Sequence, residues 1–330
     1  MRDMLLDALQ KSFPITKRPF LELGRQLDAS EEEVIEEYKK LKDEGIIRQT
    51  SAIFDTKSLG YASSLVAFKV PNIEDAAAFI NTHPGVSHNY ERDHDFNLWF
   101  TLAVPPDSRL GLQKTVELMA QKAGVEEFII LPTKKMFKIK VHLDVAGKRA
   151  KKEKVEKKKR VEMELLPEHI ELIKLLQEDI EPVREPFAKV VEMLGKDYEW
   201  LANEAKKLQD AGYMRRFATI LRHRKAGFKA NAMVVWSVDE TRAEAIGQKV
   251  AEFSAVSHCY LRPTYPNWPY SLFSMIHGKS KEEVEEVVKE IAAEIEPREY
   301  RYLYSTREFK KVRIKYFSPE FEAWEAEHAE

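Results

Sequence analysis

The chain has 330 residues, of which 44% are hydrophobic and 33% charged, and its formal net charge is -2. That length bounds two domains or more with a sizeable buried core, and the near-neutral charge gives no global attraction to nucleic acid or to an anionic membrane. A single cysteine, Cys259, excludes an internal disulfide and a multi-cysteine metal cluster. No apolar run approaches the ~18–20 residues of a membrane span, and the N-terminus MRDMLLDALQKSFP is too charged for a secretory signal, so a cytoplasmic protein is expected.

Amphipathic stretches at 3–12, 17–27 and 30–43 predict three short helices, the third opened by Ser30 and Glu33 at capping-box spacing. An apolar pair after Gly45 predicts a strand, which completes the outline of a winged helix-turn-helix. A strand over 66–70, a helix over 74–82, strands over 86–92 and 97–104, a helix over 109–122 and one long strand over 127–141 follow. That order, βαββαβ, is ferredoxin-like. Residues 146–164, AGKRAKKEKVEKKKRVEME, read as a solvated tether, because Glu is interleaved with the Lys. The same elements then recur, with the second βαββαβ at 231–238, 240–253, 256–262, 270–276, 281–294 and 299–314.

The recurrence is an internal duplication. RPFLELGRQL at 18–27 answers EPFAKVVEML at 185–194, and KKLKDEGIIR at 39–48 answers KKLQDAGYMR at 206–215. LGYASSLVAFKV at 59–70 answers AGFKANAMVVWSV at 226–238. GVSHNY at 85–90 answers AVSHCY at 255–260, so both halves carry V-S-H-x-Y. The fold class expected is α+β: two tandem repeats, each a winged-helix unit followed by a ferredoxin-like unit, which resembles the Lrp/AsnC architecture. The divisions are 1–56 and 57–145 for half one, 146–164 for the linker, 165–223 and 224–318 for half two, and 319–330 for an acidic tail. The halves are expected to pair through their βαββαβ sheets; pairing with a second copy of the chain is left open.

A winged helix suggests DNA binding, but the candidate recognition helix SEEEVIEEYKKL at 30–41 carries five glutamates. Their charge opposes a polyanion, which removes the Coulomb attraction that non-specific DNA affinity needs. No nucleic acid is expected as a partner, and no membrane.

Residues i, i+2 and i+4 of a strand share a face. His88, Tyr90 and Arg92 therefore point one way, and so do His258, Tyr260 and Arg262. Half two adds Arg215, Arg216, Arg222, His223, Arg224 and Lys225 within RRFATILRHRK, and a Pro-stiffened aromatic segment, RPTYPNWPYSLF, with Trp268 and Tyr270. Half one answers with Arg48, His94 and Trp99. Cationic groups, imidazoles and aromatic walls suit a large, flat, polyanionic ligand such as a tetrapyrrole bearing several carboxylates. No GxGxxG, Walker or HExxH pattern is present. Cys259 falls on the opposite strand face and is expected to be a small buried side chain.

IIRQTSAIFDTKSLGYASSLVAFKV at 46–70 and GVSHNYERDHDFNLWFTL at 85–102 resemble the A subunit of siroheme decarboxylases. AGYMRRFATILRHRKAGFKANAMVVWSV at 211–238 and VSHCYLRPTYPNWPYSLFSMIHG at 256–278 resemble the B subunit. One departure is Ser271, where Asn97 of half one leads to an expected Asn. The resemblance implies removal of carboxyl groups from two acetate side chains of siroheme, giving didecarboxysiroheme on the way to heme, with no cofactor beyond the iron tetrapyrrole that is the substrate. Under it, His258, His223 and His88 are the candidate proton donors, with His258 as iron ligand the other reading. Arg262, Arg216, Arg222, Arg215, Tyr260, Trp268, Tyr270, Arg48, Tyr90, Arg92, His94 and Trp99 are the candidate substrate contacts. Half two, the more basic at 215–225, is expected to line the principal pocket and half one to close it. A tetrapyrrole-binding or Lrp-type regulator without catalysis is the alternative.

Overall fold

The computed structural model describes residues 1–139, 161–222 and 230–329. The chain forms two compact units, each built from both halves. One holds residues 1–60, 158–226 and 315–318; the other holds 61–157, 227–314 and 319–330.

The first unit joins the two helical regions. Half one supplies α1 (Arg2–Lys11), α2 (Pro19–Leu27), α3 (Glu31–Asp43) and β1 (Ile47–Phe54). Pro19 starts α2 without sacrificing a hydrogen bond, and the expected capping box is formed, Ser30 Oγ accepting from Glu33 N. Half two supplies α6 (Pro167–Leu176), α7 (Ala188–Leu194), α8 (Tyr198–Asp210) and β7 (Met214–Leu221). The two wings β1 and β7 pair antiparallel, with Thr50 facing Thr219 and their buried hydroxyls 2.6 Å apart. Phe13, Phe20, Phe187 and Phe217 meet edge-on and tilted around this sheet, so the helical parts share one core. Two carboxylates of α3 are engaged within the unit: buried Glu31 receives Arg18, and Glu32 receives Arg184.

The second unit holds two five-stranded antiparallel sheets. Half one contributes β2 (Ala62–Lys69), α4 (Ile73–Thr82), β3 (Val86–Arg92), β4 (Leu98–Val104), α5 (Gly111–Lys122), β5 (Glu127–Pro132) and β6 (Lys135–Ile139). Half two contributes β8 (Ala230–Ser237), α9 (Ala243–Glu252), β9 (Val256–Leu261), β10 (Leu272–Gly278), α10 (Lys281–Ile295), β11 (Glu299–Leu303) and β12 (Ser305–Lys311). The segment 319–330 carries α11 (Glu320–His328), which buries Phe321 and Trp324 against half one.

The strand orders are β12-β3-β4-β2-β5 and β11-β8-β10-β9-β6. The long strand expected over 127–141 is therefore two strands in different sheets: β5 pairs with β2 of its own half, and β6 pairs with β9 of the other. The stretch 299–314 divides likewise, β11 joining β8 and β12 crossing to β3. Each half closes the other's sheet edge. A continuous run of strand-forming residues shows that a segment is extended but not which neighbour it pairs with, and here the neighbour changes within two residues.

Alternating strand residues sort into three cores. One face of each sheet packs on its own helices, with Val66, Phe68 and Phe100 in half one and Val234, Trp236 and Val256 in half two. The other faces meet each other through Ala67, Trp99, Ile129 and Leu131 on one side and Met233, Val235, Phe273 and Leu303 on the other. The expected pairing of the halves is thus made twice, by face-to-face packing and by strand exchange.

Candidate functional site

The repeated phrase V-S-H-x-Y forms β3 and β9, and in both the pairing with the neighbouring strand skips one residue. Val86 faces Leu102 and His88 faces Thr101, which leaves Ser87 as the extra residue; Ile276 faces Val256 and Met275 faces His258, which leaves Ser257. Such a bulge re-aims side chains and puts neighbours that would alternate onto one side. The serine hydroxyl consequently reaches the next residue's ring: Ser87 Oγ lies 2.9 Å from His88 Nδ1, and Ser257 Oγ lies 2.7 Å from His258 Nδ1. A second partner holds each serine, Thr101 Oγ1 at 2.7 Å in half one and His277 Nε2 at 2.7 Å in half two.

Beyond the histidine the stripe continues as expected. The His88 and Tyr90 rings lie 6.2 Å apart at 31°, and the His258 and Tyr260 rings 6.2 Å apart at 32°. Arg92 stands over Tyr90 at 5.6 Å and Arg262 over Tyr260 at 4.9 Å, in cation–π range. Both guanidiniums are buried, and loss of water pushes each down to about 10. Each reaches across to the facing sheet: Arg92 Nη1 donates to Leu303 O at 2.5 Å, and Arg262 Nη1 donates to Leu131 O. Their Nε atoms have no partner among the described residues.

The aromatic candidates lie deeper. Trp268 and Trp99 are fully buried in the inter-sheet core, 5.2 Å apart, and Trp99 Nε1 donates to Phe96 O at 2.6 Å. Tyr270 packs edge-on against Trp268 at 5.0 Å and donates its hydroxyl to Glu299; burial, with that carboxylate, pushes the phenol up to about 12. His94 packs edge-on to Trp268 at 5.4 Å, and its Nδ1 accepts from Phe96 N at 3.0 Å. That contact puts its hydrogen on Nε2 when neutral, and burial lowers its pKa. Cys259 is fully buried on the helix-facing side, where desolvation pushes its thiol up.

The remaining cationic candidates belong to the other unit. Arg215 pairs with Asp55 at 2.8 Å. Arg216, beside it, is half-buried and its pKa is lowered by desolvation and by Arg215. Arg222 is exposed and its backbone N–H bonds Ile46 O at 2.9 Å, while Arg48 lies on β1. His223, Arg224, Lys225 and most of the Lys-rich linker lie outside the described residues.

Three residues central to this geometry were not singled out from the sequence: Ser87, Ser257 and His277. The serine was visible in principle, since it stands in both copies of the phrase. His277 was not, because the bulge that brings it to Ser257 leaves no mark in the residue pattern. The departure at Ser271 removes a clamp that half one makes. Asn97 clamps the end of β2, donating to Val70 O at 2.9 Å and accepting from Val70 N at 3.0 Å, whereas Ser271 Oγ has no partner among the described residues and its own N–H bonds Trp236 O.

Comparison with known proteins bears on what this duplicated site serves. Residues 58–138 and 225–310 match the AsnC-like ligand binding domain, and residues 3–48 match the siroheme decarboxylase NirDL-like HTH domain. A siroheme decarboxylase of Hydrogenobacter thermophilus is 43% identical over 98% of this chain and 96% of that protein. The chain belongs to the siroheme decarboxylase family. A siroheme decarboxylase NirDL subunit of Paracoccus pantotrophus is 33% identical over 93% of the chain and 94% of its own length. The crystal structure of the siroheme decarboxylase NirDL matches at a TM-score of 0.78 and 38% identity, covering 99% of this chain and 98% of that one, and NirDL has also been solved with an iron-uroporphyrin III analogue. Among the described residues no helix is long and apolar enough to cross a membrane.

Proposed function

We propose that the protein is a carboxy-lyase that removes two acetate carboxyl groups from siroheme, with histidine delivering each proton. Family membership supports the reaction. The observation that carries the assignment of residues is the matched stripe: a serine-held histidine, a tyrosine 6.2 Å from it and a buried arginine, made once per half.

In each turn the acetate methylene–carboxyl bond breaks, carbon dioxide leaves, and the electron pair remains on the methylene carbon, delocalised into the conjugated macrocycle. A proton then makes the methyl group. Histidine suits this delivery because its pKa lies near neutrality, and a ring held at Nδ1 by serine has Nε2 as its second proton-carrying nitrogen. His258 and His88 are the donors in this reading; His258 as a ligand to the substrate's iron is the variant of it that uses the same nitrogen. His223 is kept as a further donor. Tyr90, Tyr260, Arg92 and Arg262 would border the reacting groups, with Trp99, Trp268, Tyr270 and His94 as the support behind them; Arg48, Arg215, Arg216 and Arg222, which belong to the other unit, are kept as candidate ligands for carboxylates. Half two is taken as the principal wall. No organic cofactor enters this scheme, the macrocycle being both substrate and electron sink; the setting is the cytoplasm, without nucleic acid, and pairing of two whole chains is not needed by it.

Anaerobic incubation with siroheme, followed by mass spectrometry of the tetrapyrrole, tests the reaction. Two successive losses of carbon dioxide are expected. Tight binding with unchanged mass would instead make the protein a tetrapyrrole sensor.

A further inference from the structure

We propose that His277 is a positioning residue for His258, setting through the Ser257 hydroxyl which ring nitrogen of His258 carries the hydrogen. The proposal rests on the reading of His258 as the reacting group of half two. Ser257 Oγ is 2.7 Å from His258 Nδ1 and 2.7 Å from His277 Nε2. A hydroxyl has one hydrogen and two lone pairs; Ser257 Oγ meets the Met275 carbonyl only at 3.4 Å, so its hydrogen goes to one of the two rings at 2.7 Å and the other ring donates to it. If His277 donates Nε2–H to Ser257, Ser257 donates to His258 Nδ1, and the hydrogen of neutral His258 sits on Nε2, ready for transfer. If His277 accepts, every bond in the chain reverses, and His258 Nε2 presents a lone pair, fit to take a proton or to bind iron. The imidazole of His277 thereby selects between the two roles that the sequence leaves open for His258.

Half one builds the same chain with a different end. Ser87 Oγ is 2.9 Å from His88 Nδ1 and 2.7 Å from Thr101 Oγ1. A threonine hydroxyl rotates to donate or accept at little cost, so it holds the serine without imposing a direction. The two strands are otherwise alike in bulge, ring spacing and arginine. Among the described residues the imidazole at 277 stands where half one has the Thr101 hydroxyl, and it makes the two histidines chemically inequivalent.

The test uses the full chain and two substitutions. His277→Gln keeps an amide N–H near the place of Nε2, whereas His277→Leu removes it. With siroheme, His277→Leu is expected to lower kcat of one decarboxylation by about tenfold, the value of one oriented hydrogen bond, with KM little changed, and His277→Gln is expected to recover most of the loss. Ring-nitrogen NMR of His258 gives a second readout that needs no turnover: in His277→Leu its hydrogen should redistribute between Nδ1 and Nε2, and Ser257→Ala should do the same. Unchanged His258 nitrogen signals in both variants would overturn the proposal, as would equal losses in the Leu and Gln variants accompanied by a lower Tm. If His258→Ala leaves both decarboxylations intact, the role given to His258 is wrong, and the nitrogen signals still decide whether His277 orients it.

Discussion

Arg92 and Leu303 are separated by 211 residues and joined by a 2.5 Å hydrogen bond, guanidinium to carbonyl, across two facing sheets. Arg262 returns the contact from the other sheet to Leu131 O. Both arginines are buried, so each contact forms away from competing water. Together with the exchanged strands β6 and β12, these bonds hold the halves independently of the chain between them. Cutting a single peptide bond within the Lys-rich segment 146–160 should leave the two pieces eluting together on gel filtration at about micromolar concentration, with activity retained. Separation would mean that the linker, not the sheets, keeps the halves together.

Gly247 on α9 accommodates the exchanged strand β6. A Cβ there would sit 2.2 Å from the ring of Phe137, a half-one residue buried in the half-two core. Gly247→Ala should therefore push β6 off its seat, costing ~1–3 kcal/mol in unfolding experiments. In the linker-cut protein it should also weaken association of the pieces.

His83 is buried between the end of α4 and α11, 4.4 Å edge-on from Trp324, and its Nδ1 accepts from Gly85 N at 2.9 Å. Burial first, then the charges of Lys310 and His328, push its pKa from an ordinary 6.5 down to about 3. The unfolded chain therefore binds a proton at His83 between pH 6.5 and 3 that the folded chain does not. Its contribution to stability is complete above pH 6.5 and is lost as pH falls through that window. Between pH 7 and pH 5 the loss should be roughly 2 kcal/mol by linkage. Urea unfolding at the two pH values should show a smaller drop for His83→Asn, whose amide oxygen keeps the bond to Gly85.

His258→Ala and His88→Ala, made separately, divide the labour between the halves. Loss of a general acid typically costs ~10²–10⁴ in rate. The expected result is loss of at least one decarboxylation in His258→Ala, read by the mass of the accumulating tetrapyrrole. If only His88→Ala is inactive, half one is the reacting half; if each blocks a different step, there is one histidine per acetate.

The stripe of His, Tyr and Arg was legible because strand periodicity fixes which residues share a face, and β3 and β9 obey it from His88 and His258 onward. The serine contacts were not, because a bulge breaks that periodicity one residue earlier. Nor did the pattern reveal that β5 and β6 serve different sheets, since pairing partners are chosen by three-dimensional packing. Trp268 was read as a ligand wall from its Pro-rich surroundings, yet the same apolar surface is what packs one sheet on the other. Local composition does not tell an aromatic that faces a ligand from one that faces the core.

The crossing of β12 to β3 sets an order on biosynthesis. Residues 86–92 leave the ribosome before all of half two, but the strand that covers their edge spans 305–311. Throughout translation of half two, that edge offers unpaired backbone groups to any other nascent chain. The sheet that bears His88 is completed only once residues 305–311 have been made, so a product truncated before them would carry the half-one histidine on an unfinished and association-prone sheet.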